Sequence, residues 1–214
     1  MAPPHTMQLT SRTDWALMTA IHDALRRDLD QLLHGAPSRA SARARWTTFR
    51  SRLRFHLAAE QAAMWPQVTA KLAGDPHGQA LLDALDDERH LLGPLQAMID
   101  DVFTLDTDPG RLRPLAARLR TRLASHLAHE EADALPLISQ ILSPGELSGI
   151  AAAISGRHNI RRAGITSARI TIPWALRGAS PGVRDQVLSQ LPAPTRLLYR
   201  TVWLPRYART APPV

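Results

Sequence analysis

Apolar side chains recur every three or four residues through the first 150 positions of this 214-residue chain, and strand-like alternation is nearly absent. Segment 11–33 opens on a cap signal at Ser11 or Thr13. It sets Trp15, Met18, Ile21, Leu25, Leu29 and Leu32 along one stripe, which is the mark of an amphipathic helix. Gly35-Ala36-Pro37-Ser38 breaks it. A second helix is predicted over 39–72, with Trp46, Phe49, Leu53, Leu57, Met64 and Val68 as its apolar positions. The turn Gly74-Asp75-Pro76-His77-Gly78 leads into a third over 79–104, which ends before Asp106-Thr107-Asp108-Pro109-Gly110. A fourth covers 111–142 and stops at Ser143-Pro144-Gly145. Four long amphipathic helices joined by short connections predict an all-α fold, an antiparallel up-down-up-down four-helix bundle over 11–142.

A small helical appendage is expected over 143–214. It has a short helix near 146–154, an irregular stretch holding Pro173 and Gly178, a helix opened by Ser180-Pro181 and running to 190, and another over 194–204. Its apolar positions Leu197, Leu198, Tyr199 and Trp203 predict that it packs. Residues 1–10 are expected to form a flexible N-terminus, and 210–214 a frayed end.

A hydrophobic fraction of 44% against 21% charged residues allows a core and excludes wholesale disorder. No apolar run approaches the roughly 18 residues of a membrane span, and the polar N-terminus lacks the apolar stretch of a secretory signal. A cytoplasmic protein with no membrane partner is therefore expected. The chain has 0 cysteines, so any metal must be held by nitrogen and oxygen. The net charge of +7 suggests nucleic acid until it is divided. Residues 155–214 carry 10 Arg and one acid, Asp185, a net +9; residues 1–154 carry 16 Lys+Arg against 18 Asp+Glu, a net −2. Lys71 is the single lysine, so the arginine bias follows composition more than function. Trp174, Tyr199, Trp203 and Tyr207 beside these arginines could make an aromatic-basic face for nucleic acid. Packing within the appendage is the reading adopted.

Among nine histidines, four fall one to a predicted helix: His22, His56, His90 and His126, at gaps of 34, 34 and 36 residues. In an antiparallel bundle the first and third gaps turn round the same end, so side chains at one level need them to match. They do so within two residues, roughly 3 Å of helix rise. His56-Leu-Ala-Ala-Glu60 and His126-Leu-Ala-His-Glu130 each add a carboxylate one turn later on the same face. The stretches HLAAEQAAMWP (56–66) and HLAHEEADALP (126–136) agree at six of eleven positions, including Pro66 and Pro136. This pattern looks like a duplicated helical hairpin, which would build a pseudo-symmetric site suited to two metal ions bridged by two carboxylates. Imidazole with carboxylate suits iron or manganese, with zinc admissible on ligand type alone.

The order His … His-x-x-x-Glu … His … His-x-x-x-Glu resembles the hemerythrin-like (HHE) cation-binding domain over residues 13–142. The resemblance implies a four-helix bundle around two iron ions joined by an oxygen bridge. His22, His56, His90 and His126 would be terminal ligands, and Glu60 and Glu130 bridges. The stretch IPWALRG…LPAPTRLLYRTVWLPRYAR resembles the C-terminal extension of actinobacterial members, which assigns it no role.

The match has departures. Oxygen-carrying hemerythrins place His-x-x-x-His on the third helix, whereas here position 94 is Pro94 and the residue four before His90 is Asp86. Asp86 or Asp87 would replace a missing ligand; Glu88, two residues away, would point elsewhere on a regular helix. A carboxylate five positions after the fourth-helix histidine, as in the carriers, would select Glu131, but the internal repeat selects Glu130. His129, near His126, is a further ligand candidate or a hydrogen-bonding neighbour. His5, His34, His77 and His158 are expected at the surface. What the resemblance implies is a non-haem di-iron protein that binds or reacts with dioxygen, hydrogen peroxide or nitric oxide. Its enzyme activity, if any, would be catalase-like peroxide disproportionation. The alternative is an oxygen, redox or iron sensor that signals through the basic extension.

Overall fold

The computed structural model describes residues 15–34, 38–105, 109–154 and 164–210. The expected flexible N-terminus, the frayed end beyond 210, His5 and His158 lie outside the described residues. The chain divides into two compact units, Leu25–Leu142 and Met1–Ala24 with Ser143–Val214. No described helix is long and apolar enough to cross a membrane.

The first unit is built from the later turns of α1 (Ala16–Leu33), then α2 (Arg39–Ala63), α3 (Trp65–Lys71), α4 (Pro76–His90), α5 (Leu92–Thr104), α6 (Leu112–His129) and α7 (Leu135–Ile141). Polar ties between helices give their order and directions. On α1 and α2, Arg45 donates to the Gln31 carbonyl at 3.1 Å, and Arg52 pairs with Asp28. On α2 and α5, Arg39 donates to the Val102 carbonyl, and Trp46 Nε1 donates to Asp100 at 2.8 Å. Arg120 on α6 returns to Asp30 on α1 at 2.6 Å, closing the ring. Residue numbers run in opposite order across the α1–α2 and α2–α5 ties, and across Asp30–Arg120 and Arg26–Glu131, so these neighbours are antiparallel in the all-α up-down-up-down bundle that four long helices with short connections predict. Its interior is made of Leu25, Leu29, Trp46, Phe49, Leu53, Met64, Leu92, Ile99, Leu119, Leu123, Leu127 and Ile138.

Prolines shape the long helices. The span 39–72, predicted as one helix, breaks at Met64, because Pro66 has no N–H to return to the Ala62 carbonyl. The span 79–104 likewise divides at Leu91, three residues before Pro94. Ahead of Pro136 the fourth helix opens into a π-helical turn, Glu130–Ala134, in which the Leu135 N–H reaches the Glu130 carbonyl. Ser38 and Asp75 cap the starts of α2 and α4 through their side chains.

The other unit contains α8 (Pro144–Ile154), α9 (Gly164–Ala175), α10 (Pro181–Gln190), α11 (Ala193–Leu198) and α12 (Leu204–Thr210), with a second π-helical turn at Tyr199–Trp203 just before Pro205. Helix α9 occupies part of the stretch expected to be irregular. Pro173 lies inside it and cannot donate to the Arg169 carbonyl, and Ile172, Trp174 and Ala175 around it are buried. Gly178, at φ 75°, supplies the left-handed turn that follows. Trp174, Tyr199 and Trp203 are buried, so these rings pack and do not form an open aromatic face, whereas Leu197 and Leu198, also expected to pack, lie on the outer side of their helix, 63% and 42% exposed.

Candidate metal centre

Two helices each present an imidazole and a carboxylate one turn apart. On α2, His56 Nε2 lies 3.1 Å from Glu60 Oε1; at the end of α6, His126 Nε2 lies 3.4 Å from Glu130 Oε1. The spacing of four puts each pair on one helix face, and Glu130 keeps that position although it opens the π-helical turn. His22, on the continuous helix α1, is wholly buried. One donor atom from each of His22, His56, Glu60 and Glu130 lies within 4.8 Å of the other three. His56, Glu60, His126 and Glu130 are each no more than 3% exposed.

This donor set fits a cation. Two buried carboxylates within 4.8 Å of one another repel strongly unless positive charge or a proton is shared between them. Imidazole nitrogens and carboxylate oxygens are the ligands that iron, manganese and zinc accept. The chain has no cysteine, so thiolate ligation is out.

His126 is not among these four and meets them through Glu130, and the structure does not bring the other candidates into this cluster. His90, expected as the fourth imidazole, has a side chain 68% exposed, and its Nδ1 lies 2.7 Å from the Asp86 carbonyl. The reason is helical phase. Leu85, Leu92 and Ile99 recur every seven residues as the buried face of α4 and α5, and His90 sits two residues, about 200° of rotation, before Leu92. Asp86 and Asp87 are exposed. Asp86 pairs with Arg89, whose hydrogen bond holds the Asp86 carboxyl below its ordinary range against the opposing effect of burial. Glu131 is held by Arg26 through two bonds, of 2.9 and 3.0 Å. His129 is partly exposed and faces Glu88.

Glu88 is the residue that the sequence reading missed. It was expected to point elsewhere, yet its Oε2 lies 3.4 Å from His126 Nδ1 and its Oε1 lies 3.1 Å from His129 Nδ1. The signal was present: Glu88 stands one turn after Leu85 and four residues before Leu92, on the buried stripe. A cleft of about 220 Å³ is lined by Gln61, Trp65, Gln79, Asp83, Arg89 and His126.

The family model for the hemerythrin HHE cation binding domain matches residues 13–138. The chain belongs to that family, and its buried histidine–glutamate cluster marks it as a metal-binding member. Searches of curated proteins and of solved structures returned no match.

Proposed function

We propose that this protein holds a dinuclear non-haem iron centre and uses it to bind, or react with, dioxygen, hydrogen peroxide or nitric oxide. The observation that carries the reading is the convergence of His22, His56, Glu60 and Glu130 within 4.8 Å in a buried region of a hemerythrin-family chain. His22, His56 and His126 would be terminal nitrogen ligands, and Glu60 and Glu130 would bridge. His90, at the surface, stays outside the set. Iron, when bound, supplies the electrons that a diatomic or peroxide ligand exchanges, and peroxide disproportionation is the enzymatic form of that chemistry.

The chain's own residues do the rest. Leu53, Leu123 and Leu127, all essentially inaccessible, hold the two His-x-x-x-Glu segments in place and keep bulk water from them. The cleft that His126 helps to line is the route from solvent assigned to a small ligand. Its volume suits a molecule of a few atoms, not an extended organic substrate.

The test is metal analysis and an absorption spectrum of the protein after anaerobic iron loading, with and without peroxide. The expected result is about two irons per chain, by the ligand count, and a visible band that peroxide changes. Less than about one iron per chain, with no spectral response, would overturn the reading.

A further inference from the structure

The carboxylate of Glu88 touches two imidazoles at once: Oε2 at 3.4 Å from His126 Nδ1, and Oε1 at 3.1 Å from His129 Nδ1. The opposite nitrogen of His126, Nε2, is the one directed at Glu130, 3.4 Å away. A neutral imidazole carries one N–H and one lone pair, and an ionised carboxylate only accepts. Nδ1 meets Glu88 with hydrogen-bond geometry, and this contact draws the proton of His126 to Nδ1 in competition with Glu130, which stands at the same 3.4 Å from Nε2. The lone pair is left on Nε2, at the buried side.

We infer that Glu88 is a positioning residue of the metal centre, fixing the tautomer and ring angle of His126 so that Nε2 is ready to bind a metal. Ligation by His126 rests on the function proposed above; the tautomer is a property of the chain without any metal. Glu88 stands on α4 and both histidines on α6, so the contact locks the ligand against a neighbouring helix. His129 in turn steadies Glu88 by holding its second oxygen, and His129 Nε2 lies 3.7 Å from Asp133 Oδ2 in the π-helical turn. Glu88 is about a third exposed, and its replacement by glutamine keeps the side chain's size and shape. Partners of this kind are generally worth 10- to 100-fold in metal affinity. This arrangement also accounts for a third helix that lacks a buried histidine: its contribution is a carboxylate that orients a ligand on the next helix.

The experiment compares the wild type with Glu88→Gln and His90→Ala. Nitrogen-15 NMR of the histidine rings in metal-free protein reads the His126 tautomer, and competition with a chelator reads iron affinity. In Glu88→Gln the amide can present either its N–H or its carbonyl, so the selection is lost. The Nε2–H form of His126 is expected to rise to a readily detected share, and iron affinity to fall about 10- to 100-fold. His90→Ala is expected to leave both unchanged. A brace that merely stabilised folding would alter melting without moving the tautomer. An unchanged tautomer in Glu88→Gln overturns the assignment. A shifted tautomer in a protein whose wild type takes up no iron upholds the hold of Glu88 on His126 and overturns the metal reading instead.

Discussion

Arg26 grips Glu131 with two nearly parallel hydrogen bonds, 2.9 and 3.0 Å long, and so settles which of two adjacent glutamates faces outward. Glu131 is about a quarter exposed, and its neighbour Glu130 is 1% exposed. The first prediction follows from that difference. Glu131→Gln should retain its metal and lose at most about 1 kcal/mol, because a partly exposed ion pair is screened by water. Glu130→Gln should lose most of the bound metal. Metal content and melting temperature, measured on both variants, check the pair; equal metal loss from the two would contradict it.

The buried carboxylates set a second expectation, of opposite sign with and without metal. Without a cation, Glu60 and Glu130 repel, so Glu60→Gln should raise the stability of the metal-free protein by about 1–3 kcal/mol. The same change should weaken metal binding. Urea titrations of both forms with and without a chelator are the measurement, and a metal-free Glu60→Gln protein less stable than wild type would refute the argument.

Metal removal should destabilise the chain by mass action. At free metal about 100 times the dissociation constant, binding adds about 2.7 kcal/mol, which a chelator then withdraws. Because ligation needs neutral imidazole and ionised carboxylate, acid should do the same, with metal leaving as pH drops below roughly 6. Calorimetry with and without chelator, and metal retention across an acid series, test this. A melting temperature indifferent to chelator would count against a metal bound by folded residues.

In the C-terminal unit, burial raises the Tyr199 phenol above its ordinary value, and the charge of Arg184 opposes the shift only in part. A group with a raised folded pKa contributes stability that is complete below its unfolded value and is lost as pH climbs through the folded one. This unit should therefore loosen above roughly pH 10. Tyr199→Phe should blunt that alkaline limb without altering stability at neutral pH much. Near-ultraviolet circular dichroism followed from pH 7 to 12 reads the difference; identical profiles would show that the phenolate plays no part.

Much of the bundle could be read from the chain. The stripes Trp15–Leu32 and Trp46–Val68 are period-3.6 patterns whose buried side follows from geometry alone, and the doubled His-x-x-x-Glu needs only the rise of a helix. Other features required knowledge of how prolines would be absorbed. Pro66 produces a clean break at Met64, whereas Pro136, in the matching place of the repeat, is met by a widened turn. Local sequence does not decide between these two outcomes, since neighbouring helices select the one that keeps the core packed. His90 shows a different lesson. Counting residues between histidines fixes their height along a bundle, but height says nothing of azimuth. The heptad of Leu85, Leu92 and Ile99 carries the azimuth, and it points Glu88 inward and His90 out.

The cleft of about 220 Å³ draws on both copies of the repeated motif, with His126 from one and Gln61 and Trp65, which follow Glu60, from the other. Neither copy therefore has this opening to itself, and a molecule that enters it meets side chains of both.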